Sequence, residues 1–206
     1  VSVGDRVRVT GSVAEFYGLT QVVAAQVTVL ASGQALPQPV AVTVPLTQQE
    51  SREGMLVTFA QPLVIVEYYN FARYGEIVLG TTRQDTPTAV ADPGAPAQAV
   101  AASNAQNRVT LDDGRSVQNA DPAIHPNGRE FTLDNDFRGG DTLTGVTGIL
   151  DYRNNAWKIQ PTTGAQYEAT NPRPAVPAVG GTLQVASYNV LNYFTTLGSR
   201  GADTAE

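Results

Sequence analysis

Apolar and polar residues alternate along residues 3–30, with Val7 and Val9 on one face of an extended strand and Arg6, Arg8 and Thr10 on the other. Alternation with period two marks a half-buried β-strand. The segment Glu15-Phe16-Tyr17-Gly18 supplies a turn, and a second run follows through Gln21-Val22-Val23 and residues 26–30. The pattern predicts a β-hairpin. Pro37 and Pro39 break it before an apolar stretch at 40–46. Thr47-Gln48-Gln49-Glu50 then reads as a capping box, Thr47 at the N-cap and Glu50 three residues on, so one short helix is expected, ended by Gly54. Strand patterns return at 55–59, 63–69 and 76–79.

Residues 85–107 are dominated by Ala, Pro, Asn, Ser and Gln, which have little to bury, and predict a long loop or linker. A strand at 108–111 leads to the turn Asp112-Asp113-Gly114, a polar excursion runs to Gly140, and a hairpin is expected over 141–160. Asn171-Pro172-Arg173-Pro174-Ala175-Val176-Pro177 reads as a stiff, extended linker, after which a new strand is expected at 183–190. An internal similarity joins the two hairpins. Gly4-Asp5, Val9-Thr10-Gly11, Val13 and Glu15-Phe16 match Gly140-Asp141, Val146-Thr147-Gly148, Leu150 and Asp151-Tyr152, with the spacing slipping by one residue. Valine-rich strands with periodic glycines suit small closed β-barrels, whose corners need them. Residues 54–160 have the length of one barrel, and the first hairpin would supply the last strands of another, so a longer parent chain is expected.

Composition narrows the chemistry. The chain has 206 residues, 19 Gly and 13 Pro, and no apolar run approaches the roughly 20 residues of a membrane helix, so membrane is not an expected partner. It has no Cys, which removes disulfides, zinc ribbons, iron–sulfur clusters and thiol catalysis. The lone His125 argues against a multi-histidine metal site or a histidine-based triad. With 13 Lys+Arg against 19 Asp+Glu the formal charge is −6, and Lys158 is the only lysine. The overall field repels phosphate, which leaves a local Arg-lined groove as the way to hold nucleic acid.

Three aromatic and basic groups meet that description. Single-stranded nucleic acid is held by cations along its backbone and by aromatic faces on which bases stack, at roughly 1–3 kcal/mol per base. The richest run is 67–74, with Tyr68, Tyr69, Arg73 and Tyr74 as candidate contacts. Phe16 and Tyr17 at the first hairpin tip, with Arg6 and Arg8 beneath, form a second group, and Tyr152, Arg153, Trp157 and Lys158 a third. Alternation must bury one face of each, so part of each group reads equally as core. The acidic turns Asp112-Asp113-Gly114 and Asp134-Asn135-Asp136 with Gly139-Gly140-Asp141 offer oxygen ligands for calcium, but Arg138 and Gly145 stand where an EF-hand needs ligands, and solvated turns explain both.

The segment Leu183-Gln184-Val185-Ala186-Ser187-Tyr188-Asn189-Val190-Leu191-Asn192-Tyr193-Phe194 delivers Asn189 at the end of the expected strand. An amide there can donate to an oxyanion or phosphate, although Asn is more often a turn former. VASYNVLNYFTTLG resembles the opening motif of the endonuclease/exonuclease/phosphatase fold, and more closely that of secreted bacterial nucleases of the NucH/ExeM type. VGDRVRVTGSVAEFYGLTQV, GMLVTFAQPL, YGEIVL and GGDTLTGVTGILDYRNNAWKIQP are similar to the OB-like modules that precede the catalytic domain in that family.

The resemblance implies an all-β region of OB-like β-barrel modules with one short helix, followed by a Pro-rich linker and the truncated first strand of an α/β nuclease domain. It divides the chain into the C-terminal part of a first module (1–46), a second module (47–170), a linker (171–181) and a nuclease stub (182–206). It implies an extracellular, metal-dependent nuclease that cuts phosphodiester bonds in DNA, with Mg or Mn as cofactor. Asn189 would be its one catalytic residue here, acting only with the following nuclease domain. Leu191 stands where some relatives carry a metal-binding Asp, so no metal ligand transfers, and the remaining ligands, His and base are expected after Glu206. This chain alone is expected to be non-catalytic and to bind DNA, single-stranded in the first instance. A structural spacer, or a module that stacks sugars on Tyr and Trp, are the other readings.

Overall fold

The computed structural model describes residues 1–189. They fall into two units, 1–172 and the part of 173–206 that is described, and each is treated separately.

The first unit opens with a long hairpin, β1 (Arg6–Phe16) and β2 (Leu19–Ala31). Tyr17 and Gly18 both have positive φ (52° and 83°), the conformation a two-residue hairpin turn requires. Val13 pairs with Val22, Val9 with Val27 and Val7 with Val29, so valines line one face while Arg8, Thr10 and Ser12 occupy the other. The expected alternation is present.

A nine-stranded sheet follows, curled into a half-barrel. Its strands are β3 (Val40–Val42), β4 (Leu56–Phe59), β5 (Leu63–Glu67), β6 (Ile77–Gly80), β7 (Val109–Leu111), β8 (Thr142–Thr144), β9 (Thr147–Arg153), β10 (Ala156–Pro161) and β11 (Gln166–Glu168). They lie in the order β11-β8-β5-β6-β7-β10-β9-β4-β3. Neighbours are antiparallel except β3/β4 and β7/β10. The unit is thus an all-β, barrel-like module. β3 pairs with β4 and carries this sheet back to Val40, ahead of the boundary at 46/47 suggested by sequence.

One face of each strand fills the core, where Val57, Leu63, Ile65, Leu79, Leu150 and Ile159 are fully buried. Removing a side chain of this size from water contributes roughly 1.5–3 kcal/mol. The polar excursion before Gly140 is anchored by Phe131 and Phe137, which meet Phe71 edge-on at 5.1 and 4.8 Å. Beside them the buried His125 lies 4.7 Å from Tyr167, ring to ring.

Three expectations are corrected. Residues 85–107 hold two helices, α2 (Pro87–Val90) and α3 (Ala95–Gln106), where a loop was expected. Ala and Gln are good helix formers and a proline stands in the first turn, but only Ala97 is buried, so no apolar stripe signals the helix. The capping box gives only a 3-10 turn at Glu50–Arg52, with no side-chain cap. The Thr47 carbonyl instead accepts from Arg52 Nη1 at 2.9 Å. A further helical turn, α1 (Phe71–Tyr74), interrupts the aromatic run and ends at Gly75 with φ 72°.

In the second unit, residues 183–189 are irregular, without the expected strand, since no partner strand pairs with them among the described residues. Gln184 Nε2 donates to the Val179 carbonyl at 2.7 Å. Asn189 ends the described chain at an exposed position, and Val190 and Leu191 lie outside the described residues.

Candidate binding groove on the outer sheet face

The helical turn α1 decides how the aromatic run is displayed. It tucks Phe71 into the core at 8% exposure and leaves Tyr69 89% exposed. Tyr68 is half exposed and stacks edge-on against Phe137 at 5.7 Å. The Arg73 guanidinium lies 5.1 Å from the Tyr74 ring centroid, a cation–π contact, and its Nε donates to Gln118 Oε1 at 3.3 Å. Gly75 is required at the end of the turn, because a Cβ there would stand 2.3 Å from the Asp113 carboxylate.

Sheet order brings the first and third groups together, since β6, β7 and β10 are neighbours. Tyr68, Tyr69, Tyr74, Glu76, Asn154 and Lys158 line one groove of about 490 Å³. A smaller depression of about 240 Å³ shares Tyr74 and Lys158 and extends to Arg115 and Arg153. Asn154 also faces a third cleft, of about 480 Å³, with Phe16, Tyr17, Tyr152 and Arg153. The hairpin tip is held there: Thr20 N donates to Glu53 Oε2 at 3.1 Å, and Gly18 packs on Tyr152. Aromatic members of all three groups therefore border connected clefts around the β9–β10 turn.

The cations do not join them as expected. Arg6 and Arg8 lie at the far end of β1, eight or more residues from the tip, about 27 Å at the rise of a strand. Lys158 is only 4% exposed and pairs with Glu76 Oε1 and, at 3.5 Å, with Asp112 Oδ2. Its charge is spent inside the protein, so its expected role as a phosphate contact is replaced by a structural one. Arg153 Nε pairs with Asp151 at 2.6 Å, Arg115 with Asp113 at 2.7 Å and Arg108 with Glu67 at 2.9 Å. Trp157 is half-buried, tilted against Tyr152 at 4.9 Å and packed on the core, and offers little free face. Sequence reasoning missed Glu76 and Asn154, and read Asp112 as part of an acidic turn, not as a partner of Lys158. A chain whose basic residues are otherwise all Arg gave one signal, its solitary lysine.

In the acidic turns the carboxylates of Asp112, Asp113 and Asp141 are held within the protein, while Asp134 and Asp136 are exposed. Asp112 Oδ1 accepts from Gly114 N and Asp113 from Arg115, both at 2.9 Å or less. Asp141 is buried and accepts from Arg138 N, Tyr167 Oη and Asn171 N at 2.7–2.8 Å. Burial, then the Asp141 bond, pushes the Tyr167 phenol well above its ordinary range. Hydrogen bonds from Ser32 and Ser2 hold the Asp5 carboxyl below its ordinary range. Burial likewise pushes the His125 imidazole down. Its ring donates from Nε2 to the Asp136 carbonyl at 3.1 Å and accepts from Asn127 N at Nδ1, an arrangement that suits the neutral form. No group of three or more His, Asp or Glu side chains among the described residues could hold a metal ion.

No helix among the described residues is long and apolar enough to cross a membrane. No curated protein and no solved structure matches the chain. Residues 46–172 match the model of a family described as a domain of unknown function (DUF8508).

Proposed function

The chain belongs to the DUF8508 family, and we propose that its module is the strand-binding, non-catalytic region of an extracellular metal-dependent nuclease acting on DNA. The observation that carries the reading is the groove in which Tyr68, Tyr69 and Tyr74 stand together over polar groups. Flat rings stack on such faces without regard to sequence, which suits a module that retains a strand. Tyr69, the most exposed, receives the first base, and Tyr74, backed by Arg73, receives a neighbour. Arg153 at the edge is the cation best placed to exchange its carboxylate partner for a phosphate, being 61% exposed in its side chain. Stacking supplies most of the affinity in this reading. Phosphodiester hydrolysis, with Mg or Mn, belongs to the nuclease domain that residues 182–206 resemble, and Asn189 acts only there.

A second reading, a spacer that sets the reach of a neighbouring domain without touching DNA, is favoured by one observation: Lys158, Arg115, Arg153 and Arg108 all carry carboxylate partners. Fluorescence anisotropy of a labelled single-stranded oligonucleotide, at low and moderate salt, decides between them. Saturable binding that Tyr69→Ala weakens about 5- to 100-fold supports the strand-binding module. No binding at low salt leaves the spacer.

A further inference from the structure

The hairpin β1–β2 and the hairpin β9–β10 are two copies of one structural unit. Gly11 and Gly148 each lie where a Cβ would stand 2.2 Å from a carbonyl oxygen across the strand pair, that of Val23 and that of Gln160 respectively. Gly11–Gly148, Val13–Leu150, Val22–Ile159 and Val23–Gln160 are separated by one and the same sequence interval. Ahead of each hairpin stands the same turn. Asp5 accepts from Ser2 N at 2.8 Å as Asp141 does from Arg138 N at 2.7 Å, and Gly4 and Gly140 have φ 90° and 94°. The single-residue slip between the copies falls at Gly145, whose φ of 67° breaks β8 from β9 where β1 runs on unbroken.

The copies differ in what covers them. Leu150 and Ile159 are completely buried beneath the curled sheet, among Val57, Leu63 and Leu79. Their counterparts Val13 and Val22 are 73% and 51% exposed, and Val9, Val27 and Val29 on the same face are also open. A two-stranded ribbon is marginal alone, and a contiguous apolar face of this kind marks an interaction surface. The module itself shows what such a face packs against.

We propose that the valine face of β1–β2 is the closing face of a second barrel, occupied by a curled sheet of the same build as the strands from Val40 to Leu111. The inference rests on the shared geometry of the two hairpins and stands whether or not the groove binds DNA.

The test supplies such a sheet in cis. Residues 38–139 are duplicated ahead of Gly4 in place of residues 1–3, so that Gly4 takes the position Gly140 holds in the module. Amide hydrogen exchange in β1–β2 should slow about 100-fold or more relative to the unextended chain, and binding of 1-anilinonaphthalene-8-sulfonate should fall several-fold. Val13→Asp together with Val22→Asp should abolish both effects while leaving exchange in β9–β10 unchanged. Unaltered exchange and dye binding in the extended chain overturn the proposal. Light scattering on the unextended chain adds the rival outcome: a dimer dissolved by Val13→Asp assigns the face to a second copy of the chain and overturns it equally.

Discussion

Gly11 and Gly148 sit at the same crossing point of two hairpins, and at each a Cβ would stand 2.2 Å from a carbonyl oxygen of the partner strand. At Gly148 a methyl group would collide with the Gln160 carbonyl inside a packed sheet, with Ile159 on the other side at 2.7 Å. At Gly11 the collision is with the Val23 carbonyl in a two-stranded ribbon outside the nine-stranded sheet, so the strain falls on the ribbon and not on the module's core. Gly148→Ala should cost the module about 2–3 kcal/mol in urea denaturation, the scale of overpacking. Gly11→Ala should leave the same transition within about 0.5 kcal/mol. Equal losses would mean that the ribbon is as rigidly seated as the sheet.

Much of this fold was legible in the sequence because its signals were local. Alternating valines and the turn at Glu15-Phe16-Tyr17-Gly18 are read within a few positions, and Tyr17 and Gly18 take the positive φ the turn needs. The helix at Ala95–Gln106 was not legible, since its Ala, Gln and Asn residues rest on the surface without an apolar stripe. The groove was half legible. The aromatic residues were recognisable by type, but the adjacency of Tyr74, Asn154 and Lys158 depends on which strands neighbour one another, a matter of long-range pairing. That Lys158 is buried rather than displayed follows from Glu76 and Asp112 arriving from two other segments, so its neutralisation was invisible from spacing.

Lys158 should behave as a structural cation. Lys158→Met would leave Glu76 and Asp112 facing one another without a positive charge, at a cost of about 3–5 kcal/mol in equilibrium unfolding. Adding Glu76→Gln should return part of that loss. The salt dependence of any oligonucleotide binding should be the same in wild type and in the Lys158→Met, Glu76→Gln double variant, because the group makes no phosphate contact. A shallower salt slope in that variant would show that the lysine does reach the ligand.

Asp141 ties three segments together through Arg138, Tyr167 and Asn171. Asp141→Ala should cost about 3 kcal/mol or more, because three partly buried donors lose their acceptor. Tyr167→Phe, which removes one donor and leaves two in place, should cost about 1–2 kcal/mol. Denaturant midpoints of the two variants check the ranking, and an Asp141→Ala loss below that of Tyr167→Phe would sink it.

His125 sets an acid limit. Its pKa in the folded protein lies below the ordinary 6.5, burial being the main cause. Above that pH the ring is neutral in both states and stability is complete. As pH falls below 6.5 the unfolded chain binds a proton that the folded chain resists, so stability drops, by at most about 1.4 kcal/mol per pH unit, until the folded-state pKa is passed. Urea midpoints measured between pH 7.5 and 5.5 should fall in wild type and fall less in His125→Gln. Identical slopes would assign the effect to carboxylates.

The aromatic run divides at α1, and the division can be read as stability against binding. Phe71 is buried among Phe131 and Phe137, so Phe71→Ala should cost about 3–5 kcal/mol and disturb every property of the module together. Tyr69 projects into solvent two residues earlier, and Tyr69→Ala should leave the unfolding midpoint within about 0.5 kcal/mol while weakening oligonucleotide binding. Arg73→Ala and Tyr74→Ala should fall between, since Arg73 gives up the Gln118 bond and the cation–π support of Tyr74, while Tyr74 gives up that pair and a face of the groove. Paired measurements of unfolding midpoint and anisotropy separate the two effects. If Tyr69→Ala leaves binding untouched, the exposed ring is not a stacking platform, and the groove loses its most accessible element.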